Sequence, residues 1–235
     1  MQIQDSVVLV TGANRGIGRA FARAALERGA RKVYAAARDP ATVDLPGVVP
    51  VRLDVTQPES ITALLSQCAD VTLLINNAGI AQPGSFLEPG SIESTRAQME
   101  TNFYGPLRMT QAFAPILAAN GGGAVLNVLS VASWLSSPML AAYSATKSAA
   151  WSLTNALRLE LNGQGTQVVG LHVGFVDTDL TRDIPSPKSS PADVVAAAFD
   201  GLESGAEEVL ADEITQQVKQ SLSTAQPVYL AGVTR

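Results

Sequence analysis

Thr11-Gly12-Ala13-Asn14-Arg15-Gly16-Ile17-Gly18 joins a β-branched run, Val7–Thr11 (VVLVT), to a helical pattern from about Arg15 to Arg28. The helical spacing gathers Ile17, Phe21, Ala24 and Ala25 on one face and Arg15, Arg19 and Arg23 on another. Glycine permits the tight turn, lets backbone approach a pyrophosphate and allows close packing of helix on strand. The free N–H groups and partial positive charge of the helix N-terminus complete an anion site. A strand, a three-glycine turn and a helix in this order predict a dinucleotide-binding crevice.

Outward from this turn, short apolar runs alternate with amphipathic ones. Strands are expected at Lys32–Ala36, Val49–Leu53, Val71–Asn76, Ala124–Leu129, Val168–Val173 and Glu207–Ala211. Helices are expected at Ser60–Ser66, Ser94–Ala118 (as one long helix), Ala142–Leu161, Ala192–Leu202 and Ile214–Leu222. Seven strands alternating with helices, without a linker or a fixed repeat, predict a single α/β domain over residues 1–235: a doubly wound, seven-stranded parallel sheet with helices on both faces. Ligands in such sheets bind beyond the carboxyl ends of the strands.

Composition narrows the function classes. With 46% hydrophobic and 16% charged residues, the chain has enough apolar material for a large core and is not a disordered one. One cysteine, Cys68, and one histidine, His172, exclude a disulfide scaffold and a His/Cys metal cluster, so no metal is expected. A net charge of −5 argues against nucleic acid. No apolar stretch is long enough for a membrane span, and no basic-then-apolar leader opens the chain. A soluble cytoplasmic protein is the expectation. Residues 1–52 nevertheless hold 8 of the 16 Lys/Arg and only 4 of the 21 Asp/Glu, a positive end suited to a small anion or equally a chance scatter of surface charge.

About 20 residues past the glycine turn, NAD-binding folds place an acidic residue on the adenosine ribose. Here Ala37-Arg38 occupies that place, and Asp39 comes too late in the chain, as a cap or an outward group. A carboxylate would repel a 2′-phosphate, whereas Arg38 can grip one and Arg15 can reach the same group. NADPH/NADP+ is therefore expected ahead of NAD(H). Further along, Tyr143 and Lys147 share a helical face at i, i+4 spacing. An ammonium about 4 Å away would lower a tyrosine by about 3 pH units, making it a proton-transfer group near neutrality. Ser130 follows the fifth strand, where its hydroxyl can meet Tyr143 and a substrate oxygen. Asn76-Asn77-Ala78-Gly79 ends the fourth strand, and Asn102 lies in the next helix.

Along essentially its whole length the chain resembles the compact, single-domain branch of the short-chain dehydrogenase/reductase family. The matching elements are TGANRGIG (Thr11–Gly18), Asp54-Val55, NNAG (Asn76–Gly79), Asn102, Ser130 and Tyr143-x-x-x-Lys147. The resemblance implies that Tyr143 protonates a carbonyl as hydride arrives, that Lys147 bonds the nicotinamide ribose, that Ser130 holds the substrate oxygen, and that Asn102 anchors a water relay. It implies that Gly12, Asn14, Arg15, Gly16, Ile17, Gly18 and Arg38 hold the phosphates, and that Asp54 and Val55 contact adenine. Asn77, Ala78 and Gly79 would line the cofactor, with Val176 and Thr178 on the carboxamide. One departure is Val173-Gly174 where the family usually has Pro-Gly. A small-molecule carbonyl or alcohol substrate and a homodimer or homotetramer are also implied.

An apolar substrate floor is expected from Ser133, Trp134, Leu135, Met139, Leu140, Phe175, Leu180 and Ile184, under a short lid at Asp179–Ser190. Trp134, Trp151 and Met139 otherwise read as core or interface residues. His172 reads as a satisfied core histidine and Cys68 as inert packing. An NADPH-dependent carbonyl reductase is the reading. Its rivals are an NAD-linked alcohol dehydrogenase, an acyl-carrier ketoreductase and a non-catalytic NADPH sensor.

Overall fold

The computed structural model describes residues 1–231; residues 232–235, the end of the expected 1–235 domain, lie outside the described part. Seven parallel strands form one sheet: β1 (Val7–Thr11), β2 (Lys32–Ala37), β3 (Val49–Arg52), β4 (Leu73–Asn76), β5 (Ala124–Val128), β6 (Gln167–His172) and β7 (Glu208–Leu210). Their order is β3-β2-β1-β4-β5-β6-β7, as expected of a doubly wound fold. Successive connections run outward in opposite directions from β1, so a crevice opens between the carboxyl ends of β1 and β4.

Both sheet faces are covered: β1, β4 and β5 are buried at every position and mostly apolar, with Asn76 and Asn127 hydrogen-bonded to each other at 2.8 Å. Val8 and Val10 of β1 pack with Phe21 of α1 (Gly16–Glu27) and Phe199 of α6 (Pro191–Glu203), whose rings meet edge to face at 5.4 Å. Val7 and Leu9 face the other way. They join Ile61 of α2 (Pro58–Leu65), Met109, Phe113 and Leu117 of α4 (Gly105–Ala119), and Leu157 of α5 (Ala141–Leu161). No helix among the described residues is long and apolar enough to cross a membrane.

The expected single helix over Ser94–Ala118 is instead broken in two. A helix α3 (Ser91–Met99) precedes α4, and a five-residue π turn, Glu100–Tyr104, sits between them. Its cause is local. Asn102 reaches sideways to the Ile80 backbone, donating to the carbonyl at 2.8 Å and accepting from the N–H at 2.9 Å. Gly105 meanwhile lies so close to Val55 that a Cβ there would stand 2.9 Å from its Cγ2. Periodicity in the sequence continues across such a bulge, which is why the pattern read as one helix.

Candidate active site

A cavity of about 550 Å³ runs along the carboxyl edge of the sheet, from the glycine turn and Arg38 at one end to Tyr143 and Lys147 at the other. Gly12 and Gly16 adopt φ of +67° and +55°, backbone that L side chains rarely take. Gly18 meets a separate demand: a Cβ there would lie 2.2 Å from the Gly12 carbonyl oxygen. Arg15 precedes α1 in extended conformation, and no side chain caps that helix. Its first N–H groups therefore face the cavity without an intrahelical acceptor, as an anion site requires. Thr11 locks the neighbouring turn by accepting the Asn77 and Ala78 N–H groups at 2.9 and 3.0 Å, while Asn77 Nδ2 donates to the Thr11 carbonyl at 2.8 Å.

At the basic end, Arg38 stands exposed one residue past β2, and no side chain pairs with it in a salt bridge among the described residues. Asp39 lies at the rim, its carboxylate accepting from the Ala41 N–H at 3.0 Å as a cap. Arg15 lies 3.6 Å from Asp179 of the lid. Burial works to raise the Asp54 carboxyl, yet hydrogen bonds from the Thr56 hydroxyl and N–H, with Arg38 beyond, hold it below the usual range.

At the far end, Ser130 follows β5 in extended backbone, its Oγ accepting from the Ala132 N–H at 3.1 Å and meeting the Tyr143 phenol. Lys147 is buried; its Nζ donates to the Val128 carbonyl at 2.8 Å and stands 5.7 Å from the centre of the Tyr143 ring. The expected lowering of Tyr143 by Lys147 is therefore not what this geometry produces. Burial pushes the phenol up, opposed only by the Ser130 hydrogen bond, and Lys147 itself is brought down by burial to about 8. One of the three ammonium protons goes to the Val128 carbonyl, and none is hydrogen-bonded to the phenol oxygen in this structure.

Gly12, Asn14–Gly18, Arg38, Asp54, Val55, Asn77–Gly79, Tyr143, Lys147 and Thr178 all line the cavity. Asn102, Ser130, Gly174 and Val176 are not on its wall. Asn102 is buried behind it, holding Ile80 and donating to Thr146 Oγ1 at 3.0 Å. Gly174 donates its N–H to Asp212 Oδ2 at 2.6 Å, so a carboxylate at the start of α7 (Glu213–Ser221) secures this loop where Pro-Gly is absent. Val176 pairs with Ser189, closing the base of the lid. Asp212 was invisible to motif reading; its capping position before Thr215 was the only signal.

Of the expected floor only Leu180 lines the cavity; Ser133, Trp134, Leu135, Met139, Leu140, Phe175 and Ile184 do not. Trp134 turns away from the cavity to stack on His172 at 3.9 Å, and Ser133 is buried beside it. Met139, Phe175 and Leu180 are exposed. Cys68 is buried, its thiol pushed up to about 12, in keeping with a packing role.

Residues 6–189 match the short chain dehydrogenase family model. A short chain dehydrogenase from Burkholderia cenocepacia, solved in complex with NADP, is 41% identical, covers 96% of this chain and 95% of its own, and superposes with a TM-score of 0.92. A short chain dehydrogenase/reductase from Burkholderia phymatum, solved with NAD, is 26% identical over 94% and 95% of the two chains, with a TM-score of 0.84. The 3-oxoacyl-[acyl-carrier-protein] reductase of Vibrio cholerae is 31% identical over 77% of this chain and 78% of its own. Fold, glycine turn and match over most of the length agree: this chain belongs to the short-chain dehydrogenase family.

Proposed function

We propose that the protein reduces an aldehyde or ketone to the alcohol with NADPH. The observation that carries this reading is the cavity itself, with two arginines at one end and Tyr143 and Lys147 at the other, Ser130 standing behind the wall against Tyr143. Arg38 and Arg15 hold the adenosine 2′-phosphate, and the first turn of α1 holds the pyrophosphate. Asp54 and Val55 contact adenine; Asn77, Ala78 and Gly79 flank the dinucleotide; Gly174, Val176 and Thr178 shape its nicotinamide end. When bound, NADPH supplies the hydride.

Ser130 holds the substrate oxygen by its hydroxyl, whose Oγ already accepts from the Ala132 N–H and so keeps its proton free to donate. Tyr143, kept neutral by burial, donates its proton to the same oxygen. A protonated phenol is the form that reduction needs. Lys147 bonds the nicotinamide ribose and stabilises the phenolate left behind, and Asn102 fixes the strand-end backbone with its water relay. Leu180, apolar and exposed on the cavity wall, suits bulky or aromatic carbonyls. The protein acts as a homodimer or homotetramer in the cytoplasm. A β-ketoacyl thioester is the second reading, favoured by likeness to the Vibrio cholerae reductase.

The test is the initial rate of cofactor oxidation at about 340 nm with NADPH and NADH, against aldehydes, aryl ketones, β-keto esters and an acyl-pantetheine mimic. Faster turnover with NADPH on a carbonyl supports the reading. NADPH binding without turnover on any of them refutes it.

A further inference from the structure

We propose that Asp179 is a specificity-determining residue of the cofactor site, a lid carboxylate that competes with the adenosine 2′-phosphate for Arg15. This deepens the NADPH reading and rests on it for the place of the phosphate. Arg15 immediately precedes α1 and Asp179 opens the lid, and both line the cavity. Arg15 Nη1 stands 3.6 Å from Asp179 Oδ2, while Arg182 takes the other carboxylate oxygen, Oδ1.

Backbone packing sets this pair. Gly16 follows Arg15 and Thr178 precedes Asp179, and a Cβ on Gly16 would lie 3.3 Å from Thr178 Cγ2. The base of the lid is itself held. The Asp177 N–H donates to the Ser189 carbonyl and the Ser189 N–H to the Phe175 carbonyl, both at 2.9 Å. The Thr178 N–H donates to Thr181 Oγ1 at 3.4 Å, and that hydroxyl donates to the Val176 carbonyl. Asp179 therefore meets Arg15 from a fixed backbone.

Neighbouring charges are disposed otherwise. Arg19 is paired with Asp44 at 2.9 Å, and Arg38 forms no salt bridge among the described residues. The Asp39 carboxylate accepts from the Ala41 N–H, and that of Asp54 from Thr56. Of the two arginines assigned to the phosphate, Arg15 is the one that a carboxylate already holds. A phosphate monoester carries about −1.5 to −2 at neutral pH and three strong acceptor oxygens, so it outbids a single carboxylate for the guanidinium. The side chains of Arg15 and Asp179 are 69% and 47% exposed, so the pair resists this exchange only weakly. Arg182 keeps Asp179 partnered once Arg15 has turned to the phosphate. NADH brings no phosphate to this place and leaves the pair intact. Asp179 thus weakens NADPH binding selectively, and the lid sets part of the ratio between the two cofactors.

Fluorescence titration of NADPH and NADH tests this with four proteins: wild type, Asp179→Asn, Arg15→Gln and the double variant. Asp179→Asn should tighten NADPH about threefold and leave NADH within about 1.5-fold, the scale of an exposed ion pair. Asp179→Ala should give the same gain. In the Arg15→Gln background, Asp179→Asn should change NADPH affinity by less than about 1.5-fold, because the contested group is gone. An equal gain in both backgrounds would mean plain repulsion between carboxylate and phosphate, and overturns the competition. Unchanged or weaker NADPH binding by Asp179→Asn overturns it as well. A wild-type protein that binds NADH as tightly as NADPH refutes the NADPH reading itself, and with it the phosphate on Arg15.

Discussion

Lys147 is a cation held inside the protein, and its cost should be measurable apart from catalysis. Burial takes its pKa from 10.5 to about 8. Between those values the folded state binds fewer protons than the unfolded one, so stability rises with pH across this window. At neutral pH the full penalty applies, on the order of 3 kcal/mol, and about 1 kcal/mol of it is recovered by about pH 9. Lys147→Met removes the titration. It also leaves the Val128 carbonyl without its donor, a loss of about 1–3 kcal/mol that is the same at both pH values and cancels in the comparison. Urea unfolding of wild-type and Lys147→Met, without cofactor, at about pH 7 and pH 9 gives the difference directly. The wild-type protein should gain about 1 kcal/mol more than the variant between the two, about 2–4 °C in Tm for a chain of this size. Parallel pH dependences would refute the argument and mean that water or a neighbouring group solvates the ammonium.

Other substitutions probe the two ends of the cavity. Tyr143→Phe should abolish carbonyl reduction while leaving NADPH affinity within a few fold by fluorescence titration; retained turnover would remove the proton-donor role. Ala37→Asp combined with Arg38→Ser should move the NADPH/NADH ratio of kcat/KM toward NADH by about two orders of magnitude, the worth of two charge-assisted hydrogen bonds; an unchanged ratio would take Arg38 off the phosphate. Gly18→Ala should destabilise the protein by about 2 kcal/mol in thermal or urea unfolding, because its Cβ would sit 2.2 Å from a backbone oxygen and 2.5 Å from Asn77 Nδ2. A fully stable Gly18→Ala protein would mean that α1 is free to retreat from β1.

The sheet was legible because each of its seven strands is a short apolar run closed by a polar or glycine residue, and parallel packing leaves little ambiguity in such a pattern. The cavity-lining residues were legible for a similar reason: Gly12, Gly16, Gly18 and Asn77 meet backbone demands that fix residue type and spacing. What spacing does not encode is direction. Trp134 stood near enough to Ser130 to read as substrate floor, yet it stacks on His172 at the end of β6, far along the chain. Lys147 shares a face with Tyr143, but nothing in i, i+4 spacing tells whether the ammonium turns to the phenol or to the Val128 carbonyl. Asp212 reaches the end of β6 from the segment after its neighbouring strand, and such a contact appears only when the chain is folded.

The π turn at Glu100–Tyr104 makes the chain's length, and not only its chemistry, part of the site. An α-helix advances about 100° per residue, and a π turn absorbs one residue more than the regular spiral would. Losing a single residue here would mend the spiral and leave α3 and α4 facing as they do, but it would erase the bulge itself. Asn102 would lose its sideways reach to Ile80 and Thr146. The surplus residue thus frees one side chain to leave the helical face without turning the helices on either side.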